Sequence, residues 1–297
     1  MKQQVKVEGA ITAMITPFAE GGGLDVEGLR ENVNFQIGNS ISGLVPLGTT
    51  GESPTISDDE RETVIRTVVA AAAGRVPVIV GTGTNSTKHS IELSRQAAAL
   101  GADAVLVVSP YYNKPTQEGL YRHFKAIAES IRLPVVVYNI QGRTGVNIET
   151  ATLQRMALVK NIIAVKEASG NVSQMMDVLD QLPGSFSVVS GDDNLTLPLM
   201  SLGGRGVISV VSNLVPGKVS AMCAAALKGD FAAARRLHFE MLPLFKAAFI
   251  ETNPIPIKAA MGMAGLPAGP VRMPLCEMQP ANLEKLRAVV KKMGLVK

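Results

Sequence analysis

Short apolar runs punctuate the chain at near-regular intervals. They begin at Ala10, Gly43, Val76, Ala104, Val135, Ile162, Phe186 and Gly206, about thirty residues apart. Val76-Pro-Val-Ile-Val80, Ala104-Val-Leu-Val-Val108 and Val135-Val-Val137 are apolar at consecutive positions rather than alternate ones. That pattern predicts strands buried on both faces, as in a parallel sheet covered by helices. Helical patterns fill the gaps. Ser57-Asp-Asp-Glu60 has a cap serine with a glutamate three residues on, and predicts a helix running to Ala73. Thr116 opens another through Ser130. A third spans Ser86 to Leu100, with Ile91, Leu93, Ala97, Ala98 and Leu100 apolar, and stops at Gly101.

Eight strand–helix units of this size predict the α/β class and a (β/α)8 TIM barrel. A doubly wound open sheet is the competing architecture. It rarely needs eight such regular units, and its dinucleotide fingerprint GxGxxG is missing. After the eighth run, Gly206-Val-Ile-Ser-Val210, only helical patterns remain: Pro216–Lys228, Asp230–Phe249, Ile255–Met263 and Ala281–Met293. The expected organisation is a catalytic barrel over residues 1–229 and an all-helical region over 230–297 packed on it.

Composition narrows the chemistry. Apolar residues make up 46% of 297, enough for a sizeable core, whereas His numbers 3, Cys 2, Tyr 4 and Trp 0. The net charge of +4 is spread along the chain with no basic stripe interleaved with aromatics, which argues against a nucleic-acid groove. It suits small anionic substrates as well as it suits a plain soluble surface. No apolar run reaches the length of a membrane span, and the start lacks a signal-peptide apolar segment, so a cytoplasmic location is expected. Neither cysteine lies in a CxxC pair, and Cys223 reads as a helix core position.

In a barrel of this kind, reactive residues come from the C-terminal strand ends. Those ends carry Gly48-Thr-Thr-Gly51, Tyr111-Tyr112, Tyr138-Asn139, Lys166-Glu167 and Ser190-Gly-Asp-Asp193. Lys166 follows four uncharged residues, so its stem emerges from the barrel interior. Burial there lowers an ammonium's pKa and frees the amine that Schiff-base chemistry requires. The alternative is a structural ion pair with Glu167 or a neighbouring carboxylate. Tyr138 ends the adjacent strand, either as a proton shuttle or as a ring capping the core. Gly48-Thr-Thr-Gly51 is either a small anion nest or an ordinary turn. Arg143 is either a carboxylate clamp or a solvated loop residue.

Other chemistries fall away by inspection. His89, His123 and His238 lack HxxxH or HExxH spacing, so no metal site is expected. Asp192-Asp193 could hold a cation, but paired acids in a turn read more simply as solvated or capping. There is no GxSxG elbow and no Walker A pattern. The loop after strand 7 is acidic, and Gly203-Gly-Arg-Gly206 precedes strand 8 at the wrong end for a phosphate site, which disfavours a sugar phosphate.

These residues together resemble the dihydrodipicolinate synthase and N-acetylneuraminate lyase family of pyruvate-dependent class I aldolases. The motifs are Gly48-Thr-Thr-Gly-Glu52, Pro110-Tyr-Tyr-Asn113, Tyr138-Asn139, Val165-Lys-Glu-Ala-Ser-Gly170, Ser190-Gly-Asp-Asp193 and Gly206-Val-Ile-Ser209, and the likeness spans nearly the whole chain. Gly142-Arg143-Thr144-Gly145 is similar to the branch whose second substrate is aspartate semialdehyde, where the arginine takes that substrate's carboxylate. Gln141 departs from the proline frequent at that position, a change that bears on loop stiffness.

The resemblance implies roles. Lys166 forms an imine with pyruvate, and Tyr138 passes protons to and from it. Thr49 and Tyr112 complete the relay, Tyr112 acting in a neighbouring subunit. Thr50 and the Ile208 backbone hold pyruvate's carboxylate, Gly191 borders that pocket, and Arg143 orients the aldehyde. It implies no metal or other cofactor beyond the covalent imine, a 4-hydroxy-tetrahydrodipicolinate product, and a homotetramer built as a dimer of dimers. Another pyruvate aldolase, acting on N-acetylneuraminate or a 2-keto-3-deoxy sugar acid, is the second reading, and a catalytically silent sensing barrel the third. In the family's lysine-inhibited members, an inhibitor site lies behind the active site. Ser53, Asn85 and Tyr111 match its pattern, whereas Asp58, Arg61 and His89 replace His, His and Glu, so weak inhibition by lysine is expected.

Overall fold

The computed structural model describes residues 5–296. Eight parallel strands form one sheet: β1 (Gly9–Ala13), β2 (Gly43–Val45), β3 (Ile79–Gly81), β4 (Ala104–Val108), β5 (Val135–Asn139), β6 (Ile162–Glu167), β7 (Ser187–Ser190) and β8 (Gly206–Ser209). Neighbours run β2-β1-β8-β7-β6-β5-β4-β3. The two end strands meet through a parallel bridge between Leu44 and Val78, with Leu44 N–H donating to the Pro77 carbonyl at 3.0 Å. The sheet is therefore a nearly closed barrel, as the eight-unit pattern predicts. Strand β3 begins at Ile79 rather than Val76, because Pro77 has no N–H to give a ladder and only its carbonyl pairs.

The consecutive apolar residues divide between two cores. Ile11, Val45, Ile79, Leu106, Val136, Ala164, Val189 and Ile208 face each other inside the barrel. Their chain neighbours, such as Val105, Val107, Val135, Val137 and Val165, face the surrounding helices. Alternation along each strand does this, and it is why the runs are apolar throughout. Helix α1 (Val26–Gly38) follows β1, and α2 (Asp58–Ala72), α3 (Thr87–Ala99) and α4 (Gln117–Glu129) follow the next three strands. Ser57, Ser86 and Thr116 cap the last three of these as expected, and Ser57 with Glu60 forms both halves of a capping box. A single turn, α5 (Gln141–Thr144), carries Arg143. The outer layer continues with α6 (Thr150–Ala157), α7 (Val172–Gln181), α8 (Thr196–Ser201) and α9 (Pro216–Leu227). Cys223 is buried on α9.

Three helices end the chain: α10 (Phe231–Ala247), α11 (Ile255–Met263) and α12 (Pro280–Lys292). Met241, Leu244, Ile257, Met261, Leu286 and Val290 join the same buried cluster as the barrel's outer face. Polar contacts reinforce this docking. Lys258 Nζ reaches Glu52 Oε1 at 2.9 Å with both side chains fully enclosed, and also donates to the carbonyls of Thr16 and Pro270. Arg272 donates its backbone N–H to Glu52 Oε2 and its guanidinium to Glu60, Gly22 and Thr55. The Phe18 ring lies beneath both cations, 4.3 Å from Lys258 Nζ and 4.1 Å from Arg272 Cζ. Glu52 itself has φ +53, a left-handed backbone that a non-glycine residue rarely adopts, and these bonds hold it there.

A buried charge that loses its partner is costly, on the order of 3–5 kcal/mol. Lys258→Met therefore lowers the unfolding free energy by that order, read from the midpoint of urea denaturation. The double variant Lys258→Met with Glu52→Gln recovers part of the loss.

Candidate active site

The C-terminal ends of the strands form the mouth of the barrel, and the register determines who meets there. Tyr138 and Lys166 are directly paired across β5 and β6. Residues so paired share a face, and this one is the interior. Both side chains are 5% exposed. Lys166 Nζ lies 4.1 Å from the centre of the Tyr138 ring. Glu167, one residue on, points to the opposite face, where it accepts from Asn139 Nδ2 at 3.1 Å and from the Ser169 N–H at 2.6 Å. The structural pairing of Lys166 with Glu167 is thus excluded by strand alternation.

Desolvation dominates the electrostatics. It lowers the Lys166 pKa from 10.5 to about 7, with the Arg143 charge pushing the same way and Asp193 opposing. Burial also raises the Tyr138 phenol to about 12, moderated by Arg143 and by a hydrogen bond with Thr49. At neutral pH the site therefore holds an amine that is partly free beside a phenol that keeps its proton.

Two spaces that share lining residues open beside this pair. The inner one, about 40 Å³, is lined by Lys166, Tyr138, Thr49, Thr50, Arg143, Gly191 and Asn253 among others. The outer cleft, about 550 Å³, shares Thr49, Ile140, Arg143 and Asn253 with it. Arg143 consequently faces both. Its Nη2 donates to the Asn253 carbonyl at 3.2 Å, which fixes the guanidinium. Gly191 is required by space: a Cβ there would stand 2.6 Å from Ala168 Cβ and 3.0 Å from Lys166 Cε. Ile208 is a fully buried interior residue of β8. Ser53, Asp58, Arg61, Asn85, His89 and Tyr111 all line the outer cleft.

Seven of the eight expected site residues converge on the barrel mouth or the wall beneath it. Tyr112 does not reach it. It has φ +72 and is 90% exposed on the loop after β4. Asp193 departs from its expected solvated or capping role. Only Asp192 caps, accepting from the Asn194 N–H. Asp193 is buried and accepts from Ser209 Oγ at 2.5 Å and from the N–H groups of Val210 and Val211. Burial raises its pKa to about 6 despite these bonds. It ties the β7 loop to the β8 loop and supplies the negative charge nearest Lys166 in effect. Asn253, from the segment before α11, was not expected in the site, because it lies far from the strand ends in sequence. Among the described residues no group of three His, Cys, Asp or Glu side chains is arranged to hold a metal ion, and no helix is long and apolar enough to cross a membrane.

Fold and site define an enzyme barrel built around a buried lysine amine. The comparisons identify which one. Residues 6–293 match the dihydrodipicolinate synthetase family, and the chain belongs to that family. It is 52% identical over 286 residues to the 4-hydroxy-tetrahydrodipicolinate synthase of Moorella thermoacetica, covering 96% of this chain and 98% of the relative. It is 52% identical over 290 residues to that of Methanocaldococcus jannaschii, covering 97% and 99%. The crystal structure of dihydrodipicolinate synthase from Aquifex aeolicus superposes with a TM-score of 0.95 at 48% identity, covering 97% of this chain and 99% of that one.

The lowered Lys166 pKa sets a direction for pH dependence. The free amine grows as pH rises through about 7, so modification of Lys166 by a small amine-reactive reagent accelerates across that range and then levels off. An ordinary lysine keeps accelerating towards pH 10. Mass-spectrometric rates at Lys166 across the pH range check this. Asp193→Asn shifts the Lys166 inflection to lower pH, because it removes the charge that favours the ammonium.

Proposed function

We propose that this chain condenses pyruvate with L-aspartate 4-semialdehyde through a Schiff base on Lys166, giving 4-hydroxy-tetrahydrodipicolinate in the diaminopimelate route to lysine. The observation that carries this reading is a desolvated lysine amine in a small chamber, with Arg143 shared between that chamber and the outer cleft. A small keto acid enters the chamber, and a second carboxylate-bearing substrate meets Arg143 above it.

The chemistry follows from the residues. Lys166 Nζ attacks C2 of pyruvate, and the ketone oxygen leaves as water. The resulting iminium draws electrons from C3, so a C3 proton becomes removable and an enamine forms. Its C3 attacks the aldehyde carbon, making the new C–C bond, and the aldehyde oxygen takes a proton to become a hydroxyl. The substrate's own amino nitrogen then attacks C2, the bond from C2 to Nζ breaks, and the ring closes with Lys166 restored as an amine. The iminium is itself the electron sink, so the sequence draws on no metal or redox cofactor.

Tyr138, hydrogen-bonded to Thr49, is the group positioned to move protons at the carbinolamine and at the new hydroxyl. Thr50 and the Ile208 backbone hold pyruvate's carboxylate, with Gly191 leaving room beside the Lys166 stem. Arg143 takes the aldehyde substrate's carboxylate, and that distinguishes this reading from aldolases acting on polyol chains. Tyr112 completes the proton relay in a neighbouring subunit. Its exposure and left-handed backbone fit a side chain presented outward. The working assembly is then at least a dimer, arranged as two dimers in a tetramer, in the cytoplasm.

Borohydride added with pyruvate leaves a pyruvyl adduct on Lys166 detectable by mass spectrometry, and Lys166→Ala abolishes it. An unmodified Lys166 overturns the proposal. Arg143→Ala keeps the adduct but lowers kcat/KM for aspartate semialdehyde by about a hundredfold, the order expected for a lost charge-assisted carboxylate contact. A panel of 2-keto-3-deoxy acids turns over more slowly than aspartate semialdehyde is consumed. Because Asp58, Arg61 and His89 alter the outer cleft, sub-millimolar lysine leaves the steady-state rate unchanged.

A further inference from the structure

We propose that Asn253 is a positioning residue that aims the Thr50 hydroxyl at the carboxylate of pyruvate, an inference that rests on the proposed function. Asn253 is 4% exposed and lines the inner chamber together with Lys166 and Thr50. Its Nδ2 donates to Thr50 Oγ1 at 2.9 Å. A threonine hydroxyl has one proton to give and two lone pairs with which to accept. The amide hydrogen occupies a lone pair, so the proton remains for a different acceptor. Among the described residues Thr50 Oγ1 donates to no protein acceptor. Thr50 is 2% exposed, and a buried hydroxyl proton needs a partner. The inner chamber is where an acceptor enters, and the carboxylate of a keto acid bound to Lys166 supplies one.

In the structure Nδ2 faces Thr50, and among the described residues Asn253 Oδ1 is buried with no hydrogen-bond partner. The same residue's carbonyl accepts from Arg143 Nη2, so one backbone position meets both groups assigned to substrate carboxylates. The Arg143 contact uses main chain and survives a side-chain change. The Thr50 contact does not. Substitution at 253 therefore separates the two substrates.

The test uses steady-state kinetics on the full chain, with pyruvate and aspartate semialdehyde varied separately. Asn253→Ala removes the donor but leaves the Thr50 hydroxyl free to turn, so KM for pyruvate rises by about threefold to tenfold. Asn253→Asp offers only acceptors. It captures the Thr50 proton and sets a negative charge beside the incoming carboxylate, so KM for pyruvate rises by on the order of a hundredfold. In both variants kcat at saturating pyruvate and KM for the aldehyde change by less than about threefold. In a Thr50→Val background, Asn253→Ala adds nothing to the pyruvate KM, the non-additivity expected of a residue acting through its partner.

Equal effects of Ala and Asp, additive effects in the Thr50→Val background, or a loss confined to kcat overturn the inference. If Asn253→Asp does not fold, judged by circular dichroism, the Ala and Val cycle decides it alone. Failure of the underlying function is read separately, as a wild-type chain that forms no pyruvyl adduct and no condensation product.

Discussion

Water is excluded from the end of one strand, and the arrangement of the barrel mouth depends on that. Lys166 follows four apolar residues near the end of a strand, inside a sheet that curves back on itself. Its ammonium gives up hydration, and among the described residues it has no salt bridge to replace it. Each neighbour acts with or against that desolvation. Arg143 reinforces it, Asp193 tempers it, and Gly191 lets the stem lie close to the loop after β7. The pairing that sets Tyr138 beside Lys166 follows from backbone register, so the amine and phenol stay adjacent through small side-chain movements.

The second constraint comes from outside the strands. The loop after β2 carries Thr49 and Thr50 and then turns through Glu52 in a strained conformation. Lys258 and Arg272 hold Glu52 from the far end of the chain, and Asn253 bonds Thr50 itself. The helical region is thus part of the site's frame. Its segment before α11 lies over the mouth of the barrel, and Lys258 on α11 reaches under the loop it stabilises.

The strands, the helix caps and the terminal helices were legible in sequence because each has a local cause. Consecutive apolar residues mark two-sided burial, and a serine three residues before a glutamate marks a helix start. Lys166 and Tyr138 were legible for the same reason, as polar residues ending apolar runs. Asp193 was misread because an acid in a turn looks the same whether it faces water or backbone N–H groups seventeen residues on. The contact made by Asn253 was illegible, since its partner Thr50 lies 203 residues away and only the folded chain brings the two together. Arg143 was ambiguous from its loop alone. Its contact with the Asn253 carbonyl resolves where it points.

The Lys258–Glu52 pair also orders events in time. A ribosome releases the chain from its N-terminus, and all eight strands precede Lys258. A nascent barrel can therefore close while Glu52 still lacks its cation and Thr50 its amide partner. The buried amine is thus in place before the loop beside it is framed. Those partners come from Asn253 and Lys258, so a product terminated before them would be a barrel without the finished pocket wall.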